Sequence, residues 1–293
     1  MNGSYHTSVL LQELIELLNV QSGKKYIDAT LGGGGHTGEI LKRGGKVLGI
    51  DSDQEALDYV KENFQFSIFN FQLKLVKGNF REIEKIAKEN RFDKVSGILF
   101  DLGVSGHQFD TPERGFSFQK QGPLDMRMDT SLKIKAKDLV NILTKGELYE
   151  LFTKLGEERF ARAITNSIIS ARRIRPISTT GELSEIIGHS VPGKIKIEAE
   201  ARIFQALRIA INDELHSLKI ALPQAFNLLE KEGKIAVISF HSLEDRIVKK
   251  QFIEWEEKGK GLILTKKPIR PSIEEVEKNS RSRSAKLRAF EKK

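Results

Sequence analysis

From Lys25 to Asp101 short apolar stretches alternate with segments of helical length, and this alternation limits the fold more than any other feature of the chain. Lys25–Thr30 (KYIDAT), Lys46–Asp51 (KVLGID), Gln72–Lys77 (QLKLVK) and Val95–Asp101 (VSGILFD) have the length and β-branched content of strands. Thr37–Arg43, Gln54–Asn63 and Arg81–Asn90, which separate them, read as helices. Strands joined through helices cross over instead of forming hairpins, so they lie parallel; the expected class is α/β with a doubly wound sheet.

The alternation stops near Gln108. From there to about Glu200 the chain reads as helices and loops, with helices near Glu147–Leu155 and Glu158–Arg173 and no strand. Strand character returns at Lys234–Phe240 and Leu262–Thr265. A chain of 293 residues accommodates such an excursion within one sheet domain. The predicted organisation is a discontinuous α/β domain, 1–107 and 201–293, with a helical substrate-recognition domain inserted at 108–200. Ile203, Leu207, Ile211, Leu215, Leu218 and Leu222 fall three or four apart and predict one long amphipathic helix leading back to the sheet.

Composition excludes several classes. No apolar run approaches the roughly 20 residues that span a bilayer, and Val9–Leu18 is broken by Gln12, Glu13 and Glu16. The absence of cysteine rules out disulfides and thiolate metal sites, in keeping with a cytoplasmic protein, and the histidines lack metal-ligand spacing, so no metal is expected. Net charge is +8, and its location matters: Lys258–Lys293 holds 12 Lys/Arg against 4 Asp/Glu, a surplus of 8, which leaves the rest of the chain balanced. A second basic group, Arg172, Arg173 and Arg175, lies near Arg159 and Arg162. Both suit a polyanionic partner, because clustered cations gain by releasing counterions from phosphates; a merely solubilising basic surface is the other reading.

The chemistry concentrates in two turns. Asp28-Ala-Thr-Leu-Gly32-Gly-Gly34-Gly35-His36-Thr37 places four glycines between the first strand and its helix, where backbone can approach a ligand and a helix N-terminus faces an anion. Asp51 ends the second strand, where a carboxylate can accept hydrogen bonds from ribose hydroxyls. Together they describe an adenosine-ligand site without choosing the ligand, since Gly33, Gly35 and Gly38 also satisfy the dinucleotide spacing. The fourth strand ends in Asp101-Leu-Gly-Val-Ser105-Gly-His-Gln108, which aims Asp101 at the ligand crevice. Gly103-Val-Ser105-Gly-His107 misses the hydrolase nucleophile pattern at its last position, so acyl transfer is set aside.

Further motifs follow in order: Glu113-Arg-Gly-Phe-Ser117, Gly122-Pro-Leu-Asp125-Met-Arg127-Met, Gly156-Glu-Glu-Arg159, Phe204-Gln-Ala-Leu-Arg208, Val237-Ile-Ser-Phe-His241-Ser-Leu-Glu-Asp245-Arg246 and Arg283-Ser-Ala-Lys-Leu-Arg288. With the two turns they resemble, over nearly the whole chain, the bacterial 16S ribosomal RNA cytosine-N4 methyltransferases of the RsmH (MraW) family. The resemblance implies a Rossmann-like, S-adenosylmethionine-dependent methyltransferase sheet with an inserted helical domain. It also implies methylation of a cytidine N4 in the decoding region of 16S rRNA within the small subunit. Gly34, Gly35, His36, Asp51, Phe80, Asp101 and Gln108 are then the expected contacts to S-adenosylmethionine.

Cytosine N4 is a weak nucleophile because its lone pair delocalises into the ring, so an acceptor on its N–H is needed, and Asp101 is the candidate. Arg114, Asp125, Arg127, Arg159, Arg172, Arg173 and Arg175 are candidate RNA contacts on a roof over an extruded base; Asp125 with Arg127 also reads as a structural ion pair. Ser242 with Asp245 fits a helix capping box. Two other classes are weighed. An NAD-dependent oxidoreductase would use the glycine turn and Asp51 but needs no basic tail. A non-catalytic RNA-binding or ribosome-assembly protein would explain the charge but leaves the glycine turn without a task. Monomer and homodimer are both left open.

Overall fold

The computed structural model describes residues 8–293, so the first seven of the expected 1–107 segment lie outside it. One unit of the chain comprises the residues up to Ser105 together with Leu215–Lys293; the other is Gly106–Glu214. The second unit therefore starts slightly earlier than in the 108–200 reading and ends well after it. The physical reason is the helix Lys196–Asn212, which packs against Ala136–Ile142, Lys145–Lys154 and Thr180–Ser190 of its own unit.

In the first unit seven strands form one sheet: β1 Lys25–Asp28, β2 Lys46–Asp51, β3 Leu73–Lys77, β4 Val95–Asp101, β5 Leu229–Ser239, β6 Gly261–Ile263 and β7 Lys286–Lys292, in the order β3-β2-β1-β4-β5-β7-β6. The first five run parallel, as crossover helices require. β1 pairs with β2 on one side and β4 on the other, so strand order reverses there and the crossovers before and after cover opposite faces. That reversal opens a crevice at the carboxyl ends of β1 and β4.

Both faces of the sheet are covered by apolar helices. Leu218, Ala221, Leu222, Ala225 and Leu228 join Ile98, Phe100, Val237, Phe252 and Trp255 on one side. Leu14, Ile15 and Leu18 join Val47, Leu99, Ala236 and Ile238 on the other. Burial on both faces explains why these strands read as continuous apolar runs without alternation.

Three expectations are corrected. The long amphipathic helix is two helices, Lys196–Asn212 and Glu214–Leu228, broken at Asp213, whose φ of 50° is left-handed. Asp and Asn tolerate that conformation better than most residues, and Asn212 reinforces the stop by donating to the carbonyls of Met126 and Arg208. The sheet is mixed, because β7 pairs antiparallel with both β5 and β6. The last part of the basic tail, Lys286–Lys292, is thus a sheet strand. The helix Ser242–Glu257 is capped by His241 and Glu244, with Glu244 Oε2 accepting from the backbone N–H groups of Phe240 and His241. Asp245 instead receives Arg288 and Lys286 of β7 at 2.6 and 3.2 Å.

The second unit is helical, with Ala136–Ile142, Lys145–Lys154, Ala161–Ile174 and Thr180–Ser190 as its further long elements. Thr144 with Glu147 and Thr179 with Glu182 form capping boxes that satisfy the free N–H groups of two helix starts. The only strand-like pairing among its described residues is the isolated bridge Pro123–Thr179.

Candidate cofactor and acceptor site

Three strand-end carboxylates meet around the glycine turn. Asp28, at the end of β1, is buried and accepts from the Thr30 backbone N–H at 3.2 Å and from Thr37 Oγ1 at 2.7 Å. Thr30 Oγ1 in turn accepts from the Asp101 backbone N–H at 2.6 Å, tying the ends of β1 and β4 together. Asp51, at the end of β2, accepts from the Gly32 N–H at 2.8 Å and from the Asp53 N–H at 2.9 Å. The turn is therefore clamped from both sides by side chains that the same strands supply.

The glycines have distinct tasks. Gly34 has φ +75°, and a Cβ there would press on Val60 Cγ2 at 3.0 Å and on the Phe64 ring at 3.2 Å. A Cβ on Gly35 would lie 1.9 Å from Ser8 Oγ. Gly32 differs: a Cβ there meets nothing nearer than the Thr30 carbonyl at 4.0 Å, so the turn leaves open space beside Asp51. With the backbone N–H groups of Gly32, Asp53 and Ser52 on its about four lone-pair sites, the Asp51 carboxylate keeps room for a ligand hydroxyl. These features fit an adenosine ligand.

His36 begins the next helix with Nε2 3.1 Å from the Val9 carbonyl oxygen and Nδ1 3.7 Å from Asp101 Oδ2. Asp101 thus faces an imidazole. Burial, followed by the negative charges of Asp28 and Glu244, holds its carboxyl well above the usual carboxylate range. Burial also pushes Asp28 up to about 7 and Asp51 up to about 6, against the hydrogen bonds that favour their charged forms. A group so tuned near neutrality can exchange a proton at working pH. Phe80 packs edge-on against Phe100 of β4, centroids 5.8 Å apart, partly buried at the end of β3.

The structure brings Gly34, Gly35, His36, Asp51 and Asp101 together along one sheet edge of the first unit. Gln108 belongs to the second unit, buried in the short helix Gly106–Asp110. Sequence reasoning passed over Asp28, Thr30 and Thr37 as working residues. The signal was present, since Asp28 ends its strand as Asp51 and Asp101 end theirs.

The candidate RNA contacts divide into two groups. Arg114 is buried and donates to the carbonyls of Arg127 and Met128 at 3.0 Å. Arg127 grips Asp125 through two hydrogen bonds of 2.6 and 2.8 Å and also donates to the carbonyls of Thr130 and Leu132. Burial opposes ionisation of Asp125, but the Arg127 and Lys135 contacts outweigh it and lower its pKa. These three side chains build the loop. Arg159 and Arg173 are exposed, Arg175 is exposed beside Glu182 at 3.3 Å, and half-buried Arg172 donates to the Val140 carbonyl.

The family model of the MraW methylase family matches residues 3–293. The ribosomal RNA small subunit methyltransferase H of Coprothermobacter proteolyticus is 44% identical over 289 residues, covering 98% of this chain and 96% of that one. Its counterpart in Carboxydothermus hydrogenoformans is 46% identical over 305 residues, covering 98% and 97%. That of Clostridium botulinum strain Loch Maree is 46% identical over 310 residues, covering 98% of each.

Proposed function

Because the chain belongs to the MraW methylase family, we propose that it transfers the methyl group of S-adenosylmethionine to the exocyclic N4 of a cytidine in the decoding region of 16S rRNA. The observation that carries this reading is the clamped glycine turn with Asp51 and Asp101 beside it, in a chain that its relatives match from end to end.

Bound S-adenosylmethionine supplies an already activated methyl on a sulfonium, so the protein's task is alignment and proton handling. Asp51 would hold the ribose with the lone-pair room that its backbone donors leave. Gly34 and Gly35 let the backbone approach the ligand, His36 starts the helix behind it, and Phe80 offers an apolar surface for adenine. Asp101 accepts the N4–H of the cytosine, which localises the nitrogen lone pair for in-line attack and gives the proton a destination. Burial makes the ionised Asp101 carboxylate a stronger proton acceptor than an ordinary one.

On the second unit the exposed Arg159, Arg173 and Arg175 are proposed to hold RNA phosphates; Arg172, Arg114, Asp125 and Arg127 shape the surface that presents them. The substrate form proposed is the small subunit in the cytoplasm. No helix among the described residues is long and apolar enough to cross a membrane.

The test is transfer of labelled methyl from S-adenosylmethionine to small subunits lacking the modification, followed by nucleoside mass spectrometry. N4-methylcytidine is the expected product. Cofactor binding without methylated cytidine would overturn the reading.

A further inference from the structure

The positive surplus of the chain sits in its C-terminal segment, and the sheet decides where that segment lies. Asp101 of β4 is in register with Ile238 of β5, Ile238 with Leu287 of β7, and Leu287 with Ile269 across an isolated antiparallel bridge. Asp101, Leu287 and Ile269 therefore share one row of the sheet, with Leu287 about 10 Å and Ile269 about 14 Å from Asp101 at the usual strand spacing. β7 begins at Lys286, opposite Ser239 at the carboxyl end of β5. Residues that precede Lys286 thus lie at the same edge of the sheet as the crevice, and Arg270, running antiparallel past Ile269, points toward that edge too.

The segment before β7 is built to present cations there. In the short helix Ser280–Ser284, Ser282 is fully buried and its hydroxyl donates to the Asn279 carbonyl at 2.8 Å. Asn279 Oδ1 accepts from the Arg281 N–H, and the Ala285 N–H returns to the Ser282 carbonyl at 2.8 Å. With Ser282 turned inward, Arg281 and Arg283 on either side are exposed, as is Arg270. Between Leu264 and Lys286 the chain has six Lys/Arg and three Asp/Glu. One of the three acids, Glu275, is occupied by the Leu10 N–H at 2.7 Å, which also anchors this segment to the first unit.

We infer that Arg270, Arg281 and Arg283 form a phosphate-binding rim on the sheet unit itself, which holds the RNA backbone next to the target nucleotide. This rests on the RNA methyltransferase reading for its ligand, and it assigns an RNA contact to the unit that carries the cofactor turn. A turn fixed by Ser282 and Asn279 loses little freedom on binding, and guanidinium groups match phosphate oxygens in pairs. The rim reads charge and spacing, not base identity, so its contribution to affinity falls with salt.

The test measures binding of a fluorescent RNA oligonucleotide of the decoding-region sequence to native protein, to Arg281→Gln/Arg283→Gln and to Arg270→Gln, across a salt series. The double variant is expected to bind about tenfold or more weakly at low salt, with the log–log salt slope shallower by about 2; the single variant's slope should change by about 1. S-adenosylmethionine affinity and the thermal midpoint are measured on the same preparations and should match native protein, which separates a lost contact from a damaged fold. Native RNA affinity and slope in both variants would overturn the rim. Normal RNA binding by the native chain without formation of N4-methylcytidine would instead overturn the methyltransferase reading and leave the rim standing.

Discussion

His36 Nδ1 stands 3.7 Å from Asp101 Oδ2, while the other ring nitrogen lies 3.1 Å from the Val9 carbonyl oxygen. A carbonyl only accepts, so Nε2 carries a proton, and Nδ1 is the ring atom that faces the carboxyl group. The imidazole thus lies beside the carboxyl group proposed to take the proton from N4. Asp101→Asn should therefore lower turnover by about 10²- to 10⁴-fold, the range for a lost general base, with a much smaller loss of cofactor affinity. Because burial places the carboxyl well above the usual range, native turnover should rise with pH through an ionisation higher than that of an ordinary carboxylate. Single-turnover rates against pH check both, and an unchanged profile in the variant would remove Asp101 from the chemistry.

Asp28 makes a prediction about stability. Burial raises its carboxyl to about 7, so the fold favours the protonated form. The contribution this makes to stability is complete below the unfolded value of about 4 and is lost as pH rises through about 7. Asp28→Asn cannot ionise. Its stability relative to the native chain should improve as pH climbs from about 4 to about 8, by up to 3–4 kcal/mol at one pKa unit per 1.36 kcal/mol. Denaturant unfolding of both proteins at several pH values measures the difference; parallel curves would show that Asp28 titrates normally.

Gly34 tests the turn. Alanine there must adopt φ +75° and press on Val60 and Phe64. The left-handed conformation alone costs about 1–2 kcal/mol, and the displaced turn should weaken S-adenosylmethionine binding by roughly tenfold. Calorimetric titration gives the affinity directly. An alanine variant with native affinity would mean that the ligand does not rely on this turn.

Much of this was legible in the sequence because local patterns report local constraints. β1 to β4 and the helices between them follow from strand-length apolar runs that are buried on both faces, and the glycine turn, Asp51 and Asp101 follow from strand ends. What escaped depends on distant partners. The break at Asp213 rests on Asn212 reaching the carbonyl of Met126, far away in sequence. β7 was hidden because Lys286, Arg288 and Lys292 read as a charged tail, although Lys286 and Arg288 neutralise Asp245 and Lys292 donates to the carbonyls of Phe226 and Leu229. The role of Arg114 was equally opaque, since an arginine that ties a loop has the same letter as one that holds a phosphate, whereas the Asp125–Arg127 ion pair was one of the two readings of its motif.

The Asp245–Arg288 pair carries the last prediction. Asp245 sits in the first turn of Ser242–Glu257, and Arg288 reaches it from the third residue of β7. Both side chains are largely buried, so removing Asp245 strands Arg288 in a poorly solvated place, and removing Arg288 leaves Asp245 with Lys286 alone. Burial works against the ionised carboxyl, but the hydrogen bonds and charges of Arg288 and Lys286 prevail and lower its pKa. Asp245→Asn should cost about 3 kcal/mol at neutral pH. A lowered pKa contributes stability above the unfolded value of about 4 and loses it as pH falls through the folded value, so the difference between variant and native should shrink in acid. Arg288→Met removes the other partner with similar volume and should be destabilising too. In the doubly substituted chain the two costs should fall short of additive, because the second change removes a charge already stranded by the first. Simple addition of the two would mean that the pair does not couple the last strand to the helix.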